Sequence, residues 1–221
     1  VAAPQQVLGL EPAQLFLDPS DTLRLWFSDY RQSTRVFRGF RIRRAQSDAD
    51  WQAINQLYQL RGMLPIDASL LTPRHQGGPV YWLAEDEDSG AIIGSVMGLN
   101  HHKAFNDPEN GSSLWCLAVD PQCSRPGVGE VLVRHLIEHF MSRGLSYLDL
   151  SVLHDNLQAK SLYAKLGFRN LSTFAIKRKN CINQPLFLGP GPEAEFNPYA
   201  RIIVEEAHRR GIEVQVDDAD A

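Results

Sequence analysis

Apolar positions recur along this chain at two periods, and each switch between the periods marks an element. Phe40 and Ile42 alternate with Arg41 and Arg43, a first strand. Trp51, Ile54, Leu57 and Tyr58 then share one face of a helix that Ser47 can cap. A loop without a clear period runs over residues 62–78. Apolar runs at 80–85 and 91–99 flank a turn-rich tip at 86–90 and predict a hairpin. A turn at 106–111 and a third apolar strand at 113–119 follow. Gly127 and Gly129 open a helix that runs to about Ser142 and ends at Gly144. Residues 147–152 are a further strand. Residues 156–166 are a helix closed by Gly167, the usual residue of a left-handed cap, and 174–177 return as a strand. Upstream, Asp18-Pro19-Ser20 reads as a turn and helix start, with Leu23, Trp26, Phe27 and Tyr30 at helical spacing. Hairpins followed by a βαβ unit predict an α/β fold: a mixed, mostly antiparallel sheet with flanking helices.

The same pattern divides the chain. Residues 1–38 read as a lead-in segment, 39–185 as one domain, and 186–221 as a linker and the start of a following unit. Proline and glycine crowd residues 185–192, and Tyr199, Ile202 and Ile203 then resume helical spacing. The last unit is too short to bury a core alone.

Composition narrows the function classes. The chain has 221 residues, 43% of them apolar and 22% charged, with a formal net charge of -4. A chain of this length buries enough surface to need no disulfide or metal. The largest basic cluster, Lys177-Arg178-Lys179, is short and reads as a solvated strand end, which argues against a nucleic-acid partner. No apolar stretch approaches the ~20 residues of a membrane span. Three cysteines, Cys116, Cys123 and Cys181, form no C-x-x-C pair and predict a reducing, cytoplasmic setting.

The informative stretch is Leu114-Trp-Cys-Leu-Ala-Val-Asp-Pro-Gln-Cys-Ser-Arg-Pro-Gly-Val-Gly129. A strand leads through a turn into a glycine-flanked loop that opens a helix. Free N–H groups at such a start, with the helix dipole behind them, form an anion site, and glycine admits a phosphate without a Cβ in its way. A plain turn fits the two glycines as well. Gly129 is not followed by Lys and Ser/Thr, so this is no Walker loop. The third glycine of a dinucleotide fingerprint would fall at Leu132, so that reading fails too.

About thirty residues later stands Asn156-Leu-Gln-Ala159-Lys-Ser-Leu-Tyr163-Ala-Lys-Leu-Gly167-Phe168. With this second half the chain resembles the GNAT acetyltransferases. Their acetyl-CoA signature is R/Q-x-x-G-x-G/A at a helix start, then N-x-x-A-x-x-x-Y-x-x-x-G-F. Both glycines of the first pattern match, but its opening position is Ser124, with Arg125 one place along. The likeness covers about residues 40–180.

The resemblance implies a splayed central strand pair that admits the pantetheine arm of acetyl-CoA. The arm would pair with the main chain at Leu117, Ala118 and Val119. Phosphates would meet Arg125, Gly127, Val128 and Gly129, and the later motif would contribute Asn156, Ala159 and Tyr163. A neutral amine attacks the thioester, and an oxyanion donor and a proton for the leaving thiolate are then required. Tyr163 occupies the position of the proton donor. From spacing alone it is equally a packing residue beside Leu162 and Leu166. Relatives place a glutamate base where this chain has Ser113. Candidates here are His101 and His102 first, then Glu109 and Asp155; a surface histidine pair fits the sequence equally well.

Two rival readings remain. His135-Leu-Ile-Glu138-His139 spells an inverted zinc-peptidase motif. These histidines lie along the apolar stripe of Val128, Leu132 and Leu136, which suits partly buried rings better than metal ligands, and no metal is expected. The other rival is an acyl-CoA sensor without turnover.

A narrower likeness is to the acetyltransferase half of bifunctional N-acetylglutaminylglutamine synthetases. It rests on Leu15-Phe-Leu-Asp-Pro-Ser20, Arg61-Gly-Met-Leu-Pro65, Gly111-Ser-Ser-Leu-Trp-Cys-Leu-Ala-Val-Asp-Pro121 and Asn197-Pro-Tyr-Ala-Arg-Ile-Ile-Val204. It implies an osmolyte-forming enzyme that acetylates glutamine or a glutamine dipeptide, with an ATP-grasp ligase fused or alongside. Arg61 is then the candidate to hold the acceptor's carboxylate, though a solvent-facing helix-end cation reads equally well.

Overall fold

The computed structural model describes residues 3–66, 78–179 and Leu186. The chain forms two compact units, Ser20–Ser172 and the pair of segments Val1–Pro19 and Thr173–Ala221.

In the second of these, helix α1 (Pro4–Leu10) precedes strand β1 (Leu15–Leu17). Strand β1 pairs antiparallel with a late strand, Ile176–Arg178. Lys177 does not simply hang in solvent. Its Nζ lies 2.7 Å from Asp18 Oδ2, a carboxylate whose side chain is fully covered. The return strand expected at 174–177 thus joins this small ribbon, not the main sheet.

The unit Ser20–Ser172 is built on a seven-stranded sheet. Its strands in chain order are β2 (Ser20–Trp26), β3 (Phe40–Arg44), β4 (Val80–Asp86), β5 (Ile92–Asn100), β6 (Gly111–Val119), β7 (Tyr147–Leu153) and β8 (Arg169–Asn170). Their spatial order is β3-β4-β5-β6-β7-β2-β8, and only β6 and β7 run parallel. The helices are α2 (Asp48–Leu60), the short α3 (His101–Phe105), α4 (Val128–Met141) and α5 (Leu157–Leu166). With Ile176–Arg178 as β9, the elements are complete among the described residues.

Period-2 alternation sends each strand's side chains into two layers. On β4, Val80 and Ala84 join a core with Leu132, Leu136 and Phe140 of α4 and Leu166 of α5. Tyr81 and Leu83 join Ile54, Leu57 and Tyr58 of α2 instead. Helices therefore cover both faces, each buried leucine contributing about 1.5–3 kcal/mol. The predicted Ser47 cap is present. Its hydroxyl accepts from Asp50 N while the Asp50 carboxylate accepts from Ser47 N, a reciprocal box.

One expectation is overturned. The helix anticipated at Leu23, Trp26, Phe27 and Tyr30 is strand β2, followed by a 3-10 turn, Phe27–Asp29. Leu23 and Leu25 alternate with Arg24 and Trp26, so a period of 2 was present beside the helical one. Pairing decides between them. Strand β2 meets β7 over seven positions, from Ser20↔Leu153 to Trp26↔Tyr147. Helix α3 is also new: the pattern predicted no element between the apolar run ending at 99 and the turn at 106. Residues 187–221 of the segment expected to begin another unit, and most of the 62–78 loop, lie outside the described residues.

Candidate functional site

The site begins where two strands stop holding hands. Strands β6 and β7 pair only at Gly111↔Tyr147, Ser112↔Leu148 and Ser113↔Asp149. Beyond that point β6 runs on to Val119 and β7 to Leu153 without a mutual ladder. The fork opens a cleft of about 990 Å³ lined by both strands and by residues of α4 and α5. One wall is bent by a bulge: Ser95 pairs with Ala118 and Met97 with Trp115, so Cys116 and Leu117 together oppose Val96. Cys116 takes a left-handed backbone, φ 51°, which reorients the main chain there.

At one end of the cleft stands the start of α4. Gly127 caps it at φ 82°, and a Cβ there would overlap the Phe37 ring, so glycine is demanded twice. The first intrahelical bond runs from Val131 N to Gly127 O, which leaves the N–H groups of Val128, Gly129 and Glu130 without helix partners. Gly129 differs from Gly127. A Cβ would find ordinary contacts, 3.6 Å to Val119 and 3.7 Å to Leu162, so the fold tolerates a side chain that the cleft would feel. Arg125 also lines the cleft, but its Nε donates to Asp86 Oδ2 at 2.7 Å and its Nη2 to Asp88. Two carboxylates of the β4–β5 hairpin already hold that guanidinium. Asn156 caps α5 by accepting from Ala159 N, and both residues line the cleft.

Midway along, Leu117 and Val119 face the cleft, whereas Ala118 is buried in the α2 layer and offers only main chain. Tyr163 projects from α5 into the lining. Its ring packs on Phe168 at 5.5 Å, and its hydroxyl has no hydrogen-bond partner among the described residues. Burial pushes its phenol up to about 12, so it stays protonated at any physiological pH.

The opposite end gathers His101, Phe105, Arg61, Met63, Ser113, Trp115 and Asp149. The structure separates the two histidines. His101 lines the cleft with Nδ1 3.6 Å from Asp107 Oδ2, and burial lowers its pKa, so the ring is neutral at neutral pH. His102 is exposed, with Nδ1 against the Asp107 carbonyl at 3.2 Å, and does not line the cleft. Glu109 and Asp155 also lie off the lining; Glu109 accepts from the Tyr147 hydroxyl at 3.1 Å. Ser113, standing where a base was sought, accepts from Trp115 Nε1 at 2.8 Å. Three residues escaped the sequence reading: Asp149, which lines this end, and Arg24 and Tyr147, which stand behind it. Asp149 occupies the last paired position before the fork, and Arg24 donates to it through two nitrogens, at 2.7 and 2.8 Å.

His135 and His139 lie edge-on to Trp82, with ring centroids 4.2 and 5.2 Å away. Glu138 accepts from the Tyr30 hydroxyl instead of facing them. The H-x-x-E-H string is a packing arrangement.

Known proteins bear on this geometry. A sequence model described as the acetyltransferase (GNAT) family matches residues 43–168, more than half of the chain. The ribosomal protein bS18-alanine N-acetyltransferase of Escherichia coli K12 is 42% identical over 57 residues, 26% of this chain and 38% of the relative. Mycothiol acetyltransferase of Thermobifida fusca is 32% identical over 90 residues, 40% of this chain and 28% of the relative. The chain thus matches well under half the length of these curated relatives. Among solved structures, a GCN5-related N-acetyltransferase from Kribbella flavida superposes with a TM-score of 0.59 at 14% identity, over 82% of this chain and 66% of that one. A tandem GNAT protein from the clavulanic acid biosynthesis pathway, solved without AcCoA, gives 0.57 at 13% identity, over 80% and 59%. At such identities the likeness is one of fold.

Proposed function

Because the chain belongs to the acetyltransferase (GNAT) family, we propose that it moves an acetyl group from acetyl-CoA to the amine of a small molecule, with the forked cleft as its site. The observation that carries this reading is the parting of β6 and β7 beyond Ser113 and Asp149, with the free N–H groups of α4 at one end and a neutral histidine at the other. The residues present fit acetyl-CoA. Among the described residues, Val128, Gly129 and Glu130 offer unpartnered N–H groups to a phosphate, and β6 beyond Ser113 has an edge without a strand. When bound, acetyl-CoA supplies an activated acyl group.

The chain's own groups then divide the work. Main chain at Leu117 and Val119 would hold the pantetheine arm, and N–H groups at the Cys116 bulge would be the donors for an acyl oxyanion. His101 accepts the proton that the acceptor ammonium must lose. Tyr163 holds a proton at its phenol for the departing sulfur. A phenol at about 12 is a weak acid, but the burial that raises it also raises a desolvated thiolate, so donation is not as uphill as solution values imply. Arg125, already paired, acts by fixing the loop between β6 and α4, and the phosphate interaction falls to the backbone.

For the acceptor we favour the α-amine of glutamine or a glutamine dipeptide. The phrase matches support this, as does Arg61 on the cleft lining at the same end as His101. A guanidinium there can hold a substrate carboxylate through two parallel bonds. An α-amine, with a pKa near ~8, is also neutralised more readily than a lysine near ~10.4. The residues after 186 fit a lead-in to an ATP-grasp ligase. The test is acetyl-CoA-dependent thiol release with glutamine, glutaminylglutamine, a peptide beginning with alanine, and an internal-lysine peptide. Preference for the dipeptide supports the reading. Preference for either peptide overturns the substrate, and acetyl-CoA binding without release from any amine overturns turnover itself.

A further inference from the structure

Strand β2 brings to Asp149, on the cleft lining, a partner that the family segment, which starts at residue 43, does not contain. Arg24 grips Asp149 bidentately, and its guanidinium lies over the Tyr147 ring, Cζ 3.6 Å from the centroid. The Trp26 ring stands edge-on to Tyr147 at 5.1 Å, and Glu109 takes the Tyr147 hydroxyl. The His101 ring meets the same Tyr147 edge-on at 6.1 Å. Both members of the ion pair are mostly covered, with side chains 17% and 19% exposed. Water therefore screens them poorly, and their charges are felt by neighbours.

We propose that the Arg24–Asp149 pair is a positioning element for proton transfer, a fixed ion pair at the apex of the fork whose two charges bear on His101 in opposite directions. The inference rests on His101 being the proton acceptor. The charged and titratable groups around that ring are Asp107 and Glu109 from the loop after α3, Tyr147 and Asp149 from β7, and Arg24 from β2. Asp149 favours the charged ring and Arg24 disfavours it. The two charges oppose each other at the ring, and desolvation, the largest influence on it, keeps the ring neutral and able to accept a proton. Breaking the pair from opposite sides must therefore move His101 in opposite directions. A merely structural role would not.

The experiment follows the histidine rings by heteronuclear NMR titration of the full chain, with His101→Gln assigning the signal among seven histidines. In parallel it records kcat/KM against pH for wild type, Arg24→Gln, Asp149→Asn, the double variant and Arg24→Lys. Arg24→Gln should raise the His101 titration point by on the order of half a unit, and Asp149→Asn should lower it by a similar amount. The double variant should return toward wild type, and Arg24→Lys, which keeps the charge, should stay near it. The acid limb of the rate profile should follow each shift. Shifts of the same sign, or none, overturn the proposal even if one variant folds poorly, since Arg24→Lys and Asp149→Asn are read independently. If the ring titrations part as described while the acid limb stays fixed, the assignment of His101 as proton acceptor is what fails, and the electrostatic hold stands.

Discussion

The two ends of the cleft are made of different materials. At the α4 end the chemistry belongs to backbone: unpartnered N–H groups, a left-handed Gly127 and a side-chain-free Gly129, all within a few residues. At the fork end it belongs to side chains from β2, α3, β6 and β7, with Arg24 and Asp149 125 positions apart. Backbone recognition demands particular residues at particular spacing and so leaves a motif. Side-chain recognition demands only that the fold bring charges together, and it leaves no local mark.

The contrast is broken most forcefully at Gly129. Gly129→Glu puts a carboxylate at the helix start while the contacts there leave room for its Cβ. Acetyl-CoA affinity should fall by roughly 10³-fold, about 4 kcal/mol, with the melting temperature nearly unchanged. Titration calorimetry beside thermal denaturation checks it, and equal affinity would show that the backbone end does not hold the phosphates. Next comes Tyr163→Phe, which keeps the ring against Phe168 and deletes the hydroxyl. Turnover should drop about 10²-fold with acetyl-CoA affinity intact; a wild-type rate would make Tyr163 a packing residue.

Two smaller effects sharpen the fork end. His101→Gln should cost a few tens-fold in kcat/KM at neutral pH and erase the acid limb. The sign follows from burial: the folded ring titrates below 6.5, so wild-type activity persists at neutral pH and is lost as pH falls through that lowered value. The deficit should narrow above pH ~8, where an α-amine is already neutral. A pH profile like that of wild type would remove His101 from the reaction. Smallest is Arg61→Ala, expected to raise KM for a carboxylate-bearing acceptor about tenfold and leave kcat alone. An unchanged KM would return Arg61 to a helix-end cation in solvent.

These contrasts also mark what the sequence could disclose. The α2 cap, the β4–β5 hairpin, α4 and α5 are local decisions, and Ser47, Gly127, Asn156 and Gly167 each signal one. Strand β2 is not local. Leu23, Trp26, Phe27 and Tyr30 satisfy a helical period as well as Leu23 and Leu25 satisfy an extended one, and only the ladder with β7 selects between them. The same ladder places Arg24 beside Asp149, so misreading the strand also hides half of the fork. His101 and His102 were inseparable as neighbours in a sequence. Helix α3 turns one ring to the cleft and leaves the other outside it.

That strand has a further consequence, in time instead of space. A ribosome that has just made Arg24 must add 125 more residues before Asp149 exists, roughly 6–25 s at 5–20 residues per second. Meanwhile Leu23 and Leu25, both buried in the finished sheet, have no ladder to enter. Strands β3 to β6, joined by neighbouring antiparallel pairings, can zip up as they emerge. The earliest-made strand of this sheet therefore waits for β7 before it can pair, and β8 can join only after it. Until that moment the apex of the fork lacks its arginine, so the ion pair there forms only when synthesis of this unit is nearly over.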